Sequence, residues 1–129
     1  GTVVFHDLRS EEGCAALELE PAALVLTRVV SRPAPGRVTC DAGSKSIAAE
    51  AGDPCAYVLG HPELVPQAPS EEHLPLRVAH GPAPERGRAL LLVPRHVCPT
   101  INLAEEALLV DGGAVRRVAV SARAHDLGR

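Results

Sequence analysis

Large side chains are nearly missing from this chain of 129 residues: it has no Trp, no Met, one Phe (Phe5) and one Tyr (Tyr57). Its core must therefore be filled by Ala, Val and Leu, many small knobs in place of a few large ones. The same scarcity removes the aromatic platforms on which bases and sugars stack. Lysine is as rare: Lys45 is the only one, and the arginines are scattered. With a formal net charge of -3 there is no basic field to draw in nucleic acid. No apolar run approaches the ~20 residues of a membrane-spanning helix, and no signal peptide opens the chain. The four cysteines, Cys14, Cys40, Cys55 and Cys98, contain no CxxC pair and do not resemble a secreted disulfide framework. That usage predicts a reducing, cytoplasmic setting. An initiator Met is missing too: the chain opens at Gly1-Thr2-Val3-Val4-Phe5, inside an expected strand, which predicts a piece of a longer protein.

What is present amounts to one domain, residues 1–129 and 13.5 kDa. A chain of this size buries about two-thirds of its unfolded surface and needs no staples. Its pattern is mostly that of strands. Residues 2–7 are β-branched and bounded by polar residues, so a strand is expected, followed by a surface loop over 9–13. Leu17 and Leu19 alternate with Glu18 and Glu20, which favours a strand over 15–20 with one wet face. Residues 22–32 form the best long strand, Pro33-Ala34-Pro35-Gly36 turns the chain, and 37–40 returns as a hairpin. A loop over 41–46 leads to a short helix expected at 47–51, ended by Gly52 and Asp53-Pro54. Residues 55–59 read as a strand, and 61–69, with three prolines, as an irregular stretch or a sheet edge. Residues 71–80 are extended with a break at Pro75, and 88–94 form the central apolar strand. A final hairpin, 108–110 with 115–122, closes around Asp111-Gly112-Gly113, and Glu105-Glu106 suggests a short helical turn before it. Roughly eight strands with frequent Pro and Gly turns predict an antiparallel β-barrel or sandwich with one or two short helices.

The sharpest chemical signal is Pro94-Arg95-His96-Val97-Cys98-Pro99-Thr100-Ile101-Asn102-Leu103. On an extended segment residues i and i+2 share a face. His96 and Cys98 would then converge an imidazole and a thiolate on one borderline cation, a ligand pair that suits zinc. The alternative is that Cys98 is a small buried hydrophobe and His96 is inert. Lys45, in Gly43-Ser44-Lys45, invites a Schiff-base or phosphate reading, but the spacing is not that of a P-loop. His6, His61, His80 and His125 default to surface or satisfied-core positions, and Cys14, Cys40 and Cys55 to buried thiols.

Five blocks in this order resemble the C-terminal domain of the D-serine dehydratase-like family. They are Gly1-Thr2-Val3-Val4-Phe5-His6-Asp7, Asp41-Ala42-Gly43-Ser44-Lys45-Ser46, Ser70-Glu71-Glu72-His73, the His96-to-Leu103 block and Val118-Ala119-Val120-Ser121-Ala122-Arg123. That family includes D-serine dehydratase and D-threonine aldolase, pyridoxal-phosphate enzymes of the alanine-racemase type. The resemblance covers nearly the whole chain. It implies an alanine-racemase C-terminal-like barrel that brings Zn2+, or another divalent metal, to the substrate. It also implies an N-terminal barrel domain, absent from this chain, that carries pyridoxal phosphate and its Schiff-base lysine, in a homodimer acting on a D-amino acid. His96 and Cys98 match the family's metal ligands, and the aldolase branch tends to carry Asp where this chain has Cys98. Glu72 and His73 match a motif near the active site, although Leu74 follows where the family usually has Gly. Lys45 matches a lysine other than the cofactor's, expected to position the active-site loop, through Asp41. Thr100 and Asn102 continue the i+2 register, so their side chains are expected to hydrogen-bond behind the metal ligands; for Asn102 the other reading is that it merely satisfies a turn.

Three functions stay open at this point. The chain is the metal-bearing part of a D-amino-acid dehydratase or aldolase, inactive on its own. Or it is a stand-alone metal- or ligand-binding β-domain. Or it is an interaction module in which His96 and Cys98 do nothing.

Overall fold

The computed structural model describes residues 2–14 and 18–124. Among the described residues, eight strands form two antiparallel sheets, one of six strands in the order β3-β6-β1-β2-β5-β4 and one of two, β7-β8. β1 (Val25–Ala34) buries Thr27 and Val29 and exposes Leu26, Arg28 and Val30, the period-two alternation of a half-wet strand. It turns through Pro35-Gly36 into β2 (Arg37–Cys40); Gly36 adopts φ 69, a conformation that favours glycine. The strand runs through Pro33, which the sequence assigned to the turn, and register irregularities on both sides of Ser31 accommodate that proline.

β6 (Ala89–Pro94) is central as expected, pairing with β1 on one side and with β3 (Ala56–Val58) on the other. β5 (Leu74–Val78) joins β2 to β4 (Leu64–Pro66), which ends the sheet, so the proline-rich 61–69 stretch is an edge. The two end strands, β3 and β4, pack beside each other without pairing, and a cleft of about 420 Å³ marks the seam. The sheet is thus nearly closed into a barrel. Its interior is aliphatic, with Ile47, Leu74, Leu76, Leu92, Val29 and Val38 among the buried side chains. β7 (Glu106–Asp111) and β8 (Ala114–Ala119) meet at Gly112-Gly113, both at positive φ, as a two-residue hairpin requires.

Several local expectations are corrected. Residues 2–7 are not a strand: α1 (Thr2–Phe5) is one helical turn, and the expected loop over 9–13 is α2 (Leu8–Cys14), started by Asp7. Of the expected 15–20 strand, 15–17 lie outside the described residues and 18–20 have no regular structure. The helix expected at 47–51 does not form; the chain makes a turn over 44–46. Ile47 N–H reaches Gly43 O, but the next amide, Ala48 N–H, donates to the Thr100 hydroxyl instead of continuing the ladder. Glu106 opens β7 rather than a helical turn. The 94–103 segment leaves the extended state at Val97 and becomes α3 (Val97–Leu103). Among the described residues no helix is long and apolar enough to cross a membrane.

Candidate metal centre

The chain leaves the barrel at Pro94, and Arg95 fixes its course. The Arg95 amide donates to Cys55 O at 2.7 Å and its Nε to Pro54 O at 2.7 Å, while its NH1 meets Glu12 Oε1 at 2.9 Å. Arg9 N–H donates back to Arg95 O at 3.1 Å. His96 follows, half-buried and extended at φ -133, ψ 111, as the N-cap of α3, but its side chain makes no capping bond. Two other residues hold this helix start. Val97 N–H donates to Asp7 Oδ2 at 2.9 Å, and the Thr100 hydroxyl donates to His96 O at 2.8 Å while accepting Ala48 N–H at 3.1 Å. Asp7 is buried, and its Oδ1 also accepts the Ser10 amide and hydroxyl, both at 2.8 Å. Burial alone would raise its carboxyl pKa; the donors from Val97 and Ser10 outweigh that and hold it below the usual range.

Cys98 is exposed, its Sγ 3.3 Å from Thr2 Oγ1. The Thr2 hydroxyl, more than any other contact, holds its thiol below the ordinary value, against the opposing effect of partial burial. Lowering a thiol's pKa raises its thiolate fraction, the form that acts as nucleophile and metal ligand. Cys40 and Cys55 are the contrasting case: both are buried, and burial pushes Cys40 up to about 11. Because the backbone changes from extended to helical between His96 and Cys98, the strand argument for a shared face does not describe how they sit; both instead flank the tethered Val97 amide. Among the described residues no cluster of three or more His, Cys, Asp and Glu side chains forms, so the candidate ligands here are these two.

Thr100 is buried behind His96 and bonds its carbonyl, as part of a helix rather than of an i+2 register. Asn102 is exposed and its Oδ1 accepts the amide of Ala124, 22 residues further along the chain, at 2.9 Å.

The other predicted residues form a second unit. Ser44 N–H and Lys45 N–H pair with Ser70 O and Glu71 O, so the 41–46 loop lies against the 70–73 loop. Gly43 makes this approach possible: a Cβ there would sit 2.2 Å from Glu71 O. Lys45 Nζ lies 2.6 Å from Glu72 and 3.3 Å from Glu71. The Glu72 carboxylate raises the lysine's pKa and is itself lowered by it. Asp41 does not join them. Its Oδ1 accepts Thr27 Oγ1 at 2.7 Å and Arg28 N–H at 2.8 Å, fixing the loop to β1. His73 is exposed at the end of the loop, its amide bonded to Ser70 Oγ. The Ala48–Thr100 bond connects this unit to α3. Of the remaining histidines, His6 is buried with Nε2 2.6 Å from Glu11, His61 pairs with Glu63, His80 is exposed, and His125 lies outside the described residues. So does the side chain of Cys14.

The family model described as "Putative serine dehydratase domain" matches residues 22–110, well over half of the chain. The chain belongs to that family. This serine dehydratase domain is 42% identical over 119 residues to a D-threonine aldolase of Arthrobacter sp., matching 91% of this chain and 31% of that protein. Among solved structures it resembles a D-threonine aldolase from Filomicrobium marinum, with TM-score 0.82, 30% identity, and 95% of this chain and 35% of the other covered. It also resembles the D-threo-3-hydroxyaspartate dehydratase from Delftia sp. HT23, with TM-score 0.73, 26% identity, and coverage of 98% and 38%. The domain spans about a third of the length of each of these relatives. The matched span includes His96, Cys98 and the Lys45–Glu72 unit but not Thr2 or Asp7. Those two residues escaped sequence reasoning. The only local signal was Asp7 followed by Ser10 and the acidic Glu11-Glu12, an N-cap pattern masked by the β-branched residues before it.

Proposed function

We propose that this chain is the metal-bearing domain of a lyase acting on a β-hydroxy D-amino acid of the D-serine or D-threonine type. The observation that carries this is Cys98: exposed, its thiol pKa lowered by Thr2, and two residues from His96 at a tethered helix start. The relatives' names, a threonine aldolase and a hydroxyaspartate dehydratase, both denote lyases whose substrates carry a β-hydroxyl. A neutral imidazole and a thiolate form a donor set that fits zinc better than harder divalent ions. Bound by His96 and Cys98, zinc would supply Lewis acidity to a substrate β-hydroxyl oxygen. Two protein ligands leave coordination positions open, as a catalytic rather than a structural site requires. Pyridoxal phosphate would supply the electron sink in the complete enzyme. No lysine here is suited to carry it, since Lys45, the only one, is tied up as an ammonium between Glu71 and Glu72. The cofactor's lysine then belongs to an N-terminal barrel domain, and the complete enzyme is a homodimer with this domain beside the cofactor. Lys45 acts through Glu72 to hold the loop that presents His73, and Asp41 holds the 41–46 loop to β1.

Metal content after zinc loading tests the proposal. About one zinc per chain is expected, lost in both His96→Ala and Cys98→Ala. Zinc retained in both variants, or bound by none of the three proteins, overturns it. Pyruvate formed from D-serine by this chain alone, with pyridoxal phosphate and zinc added, would contradict the assignment of the cofactor lysine to another domain.

A further inference from the structure

The residues that could hold the metal are two, but what sets their spacing lies at the opposite end of the sequence. α3 begins with an N-cap, His96, whose side chain caps nothing. The role of cap is taken by Asp7, 90 residues away, whose Oδ2 accepts the first helical amide, Val97 N–H. The other oxygen of the same carboxylate caps α2 through the Ser10 amide and hydroxyl. One buried carboxylate therefore fixes two helix starts relative to each other. The tethered amide belongs to the residue between His96 and Cys98, so a shift of Val97 moves both candidate ligands. The contacts around it act in the same direction. Thr2 Oγ1 meets Cys98 Sγ, Arg9 N–H bonds Arg95 O, and Glu12 pairs with Arg95. The backbone turns Asp7 inward through His6, a buried non-glycine residue at φ 53, whose Nδ1 has no partner among the described residues. A conformation that unfavourable for a side-chain-bearing residue persists where its surroundings over-determine it.

We infer that Asp7 is a positioning residue of the metal centre, setting the His96–Cys98 spacing through the Val97 amide. The inference rests on the metal reading of these two residues. Cobalt(II) substitution tests it without any turnover assay, because a thiolate bound to cobalt gives a near-ultraviolet charge-transfer band. In the wild-type chain that band is expected and is lost in Cys98→Ser. Asp7→Ala is expected to weaken cobalt binding by about 10–100-fold and to shift the band, the range seen when residues supporting metal ligands are removed. Ser10→Ala removes only a bond on the α2 side and is expected to keep wild-type affinity and spectrum. If Asp7→Ala does not fold, Asp7→Asn, which keeps the volume and one acceptor, is read in its place with a loss of about threefold or more expected. Wild-type affinity and band in the folded Asp7 variant overturn the positioning role and leave the metal reading intact. No band in the wild-type chain overturns both. Ser10→Ala weakening the metal as much as Asp7→Ala would reduce Asp7 to a stabilising residue and overturn the inference as well.

Discussion

Replacing Gly43 by alanine puts a methyl group where the opposite loop's backbone already stands. The added Cβ would lie 2.2 Å from Glu71 O, 2.3 Å from Glu71 C and 2.4 Å from Glu72 N. All three are backbone atoms, so no side chain can swing aside and the loops must part by the better part of an ångström. Parting them stretches the bonds from Ser44 to Ser70 and from Lys45 to Glu71, 2.9 and 3.1 Å long. Two such bonds contribute about 0.5–1.5 kcal/mol each, and overpacking adds about 1–3 kcal/mol. The expected loss is about 2–6 kcal/mol, a large part of the roughly 5–15 kcal/mol by which a domain of this size is stable. With a urea slope of about 2 kcal/mol/M, the unfolding midpoint falls by about 1–3 M. Gly13→Ala is the internal control. Among the described residues nothing beyond its own helix and chain neighbours lies within 4 Å of its added Cβ, and Gly13 sits in α2, where alanine is the better helix former by about 0.5–1 kcal/mol. Equal midpoints for Gly43→Ala and the wild-type chain, within about 0.3 M, would refute the close-approach argument.

Thr100→Val keeps the shape of a buried side chain but strips the Ala48 amide of its acceptor and His96 O of a donor. It should cost about 1–3 kcal/mol in thermal unfolding, with Thr100→Ser restoring most of it; a neutral valine would mean that neither bond matters. Cys40 gives stability a pH dependence whose sign is fixed by its raised pKa. The folded thiol titrates at about 11 against an ordinary 9.0, so its contribution is complete below about pH 9 and disappears as pH rises through 11. Up to about 2–3 kcal/mol is lost in that window, and Cys40→Ala should flatten the decline in urea midpoints between pH 9 and 11; an unchanged slope counts against the assignment.

Strand alternation and turn chemistry made most of the barrel readable. The hairpin around Gly36, the central position of β6, the edge character of the proline-rich stretch and the Gly112-Gly113 turn all follow from local residues. The helices were not readable, because their causes are not local. Val97-Cys98-Pro99-Thr100 has poor intrinsic helix propensity, though a proline within the first turn is tolerated. The helix exists because Asp7 caps it from the far end of the chain. Conversely, residues 47–51 had the composition of a helix but form none, and the Ala48 amide is bonded to the Thr100 hydroxyl instead. For the candidate centre, residue types singled out His96 and Cys98 as candidates, but strand periodicity misjudged their backbone. Lys45 and Glu72 came from matched motifs, and only the fold shows that they form an ion pair while Asp41 serves β1 instead.

The strand order also dictates a sequence of events during folding. β1 has one partner next to it in the chain, β2, and another, β6, roughly sixty residues further on. Closing the short hairpin costs little chain entropy, whereas seating β6 requires a long loop to close first. The segment that carries His96 and Cys98 emerges directly from β6, and its tether reaches back to the seventh residue. The two ligands are therefore expected to reach their final spacing only when the longest loops in the molecule have closed. On the proposed metal reading, a nascent or partly unfolded chain offers an ion no finished site, and capture of the ion would report that folding is complete.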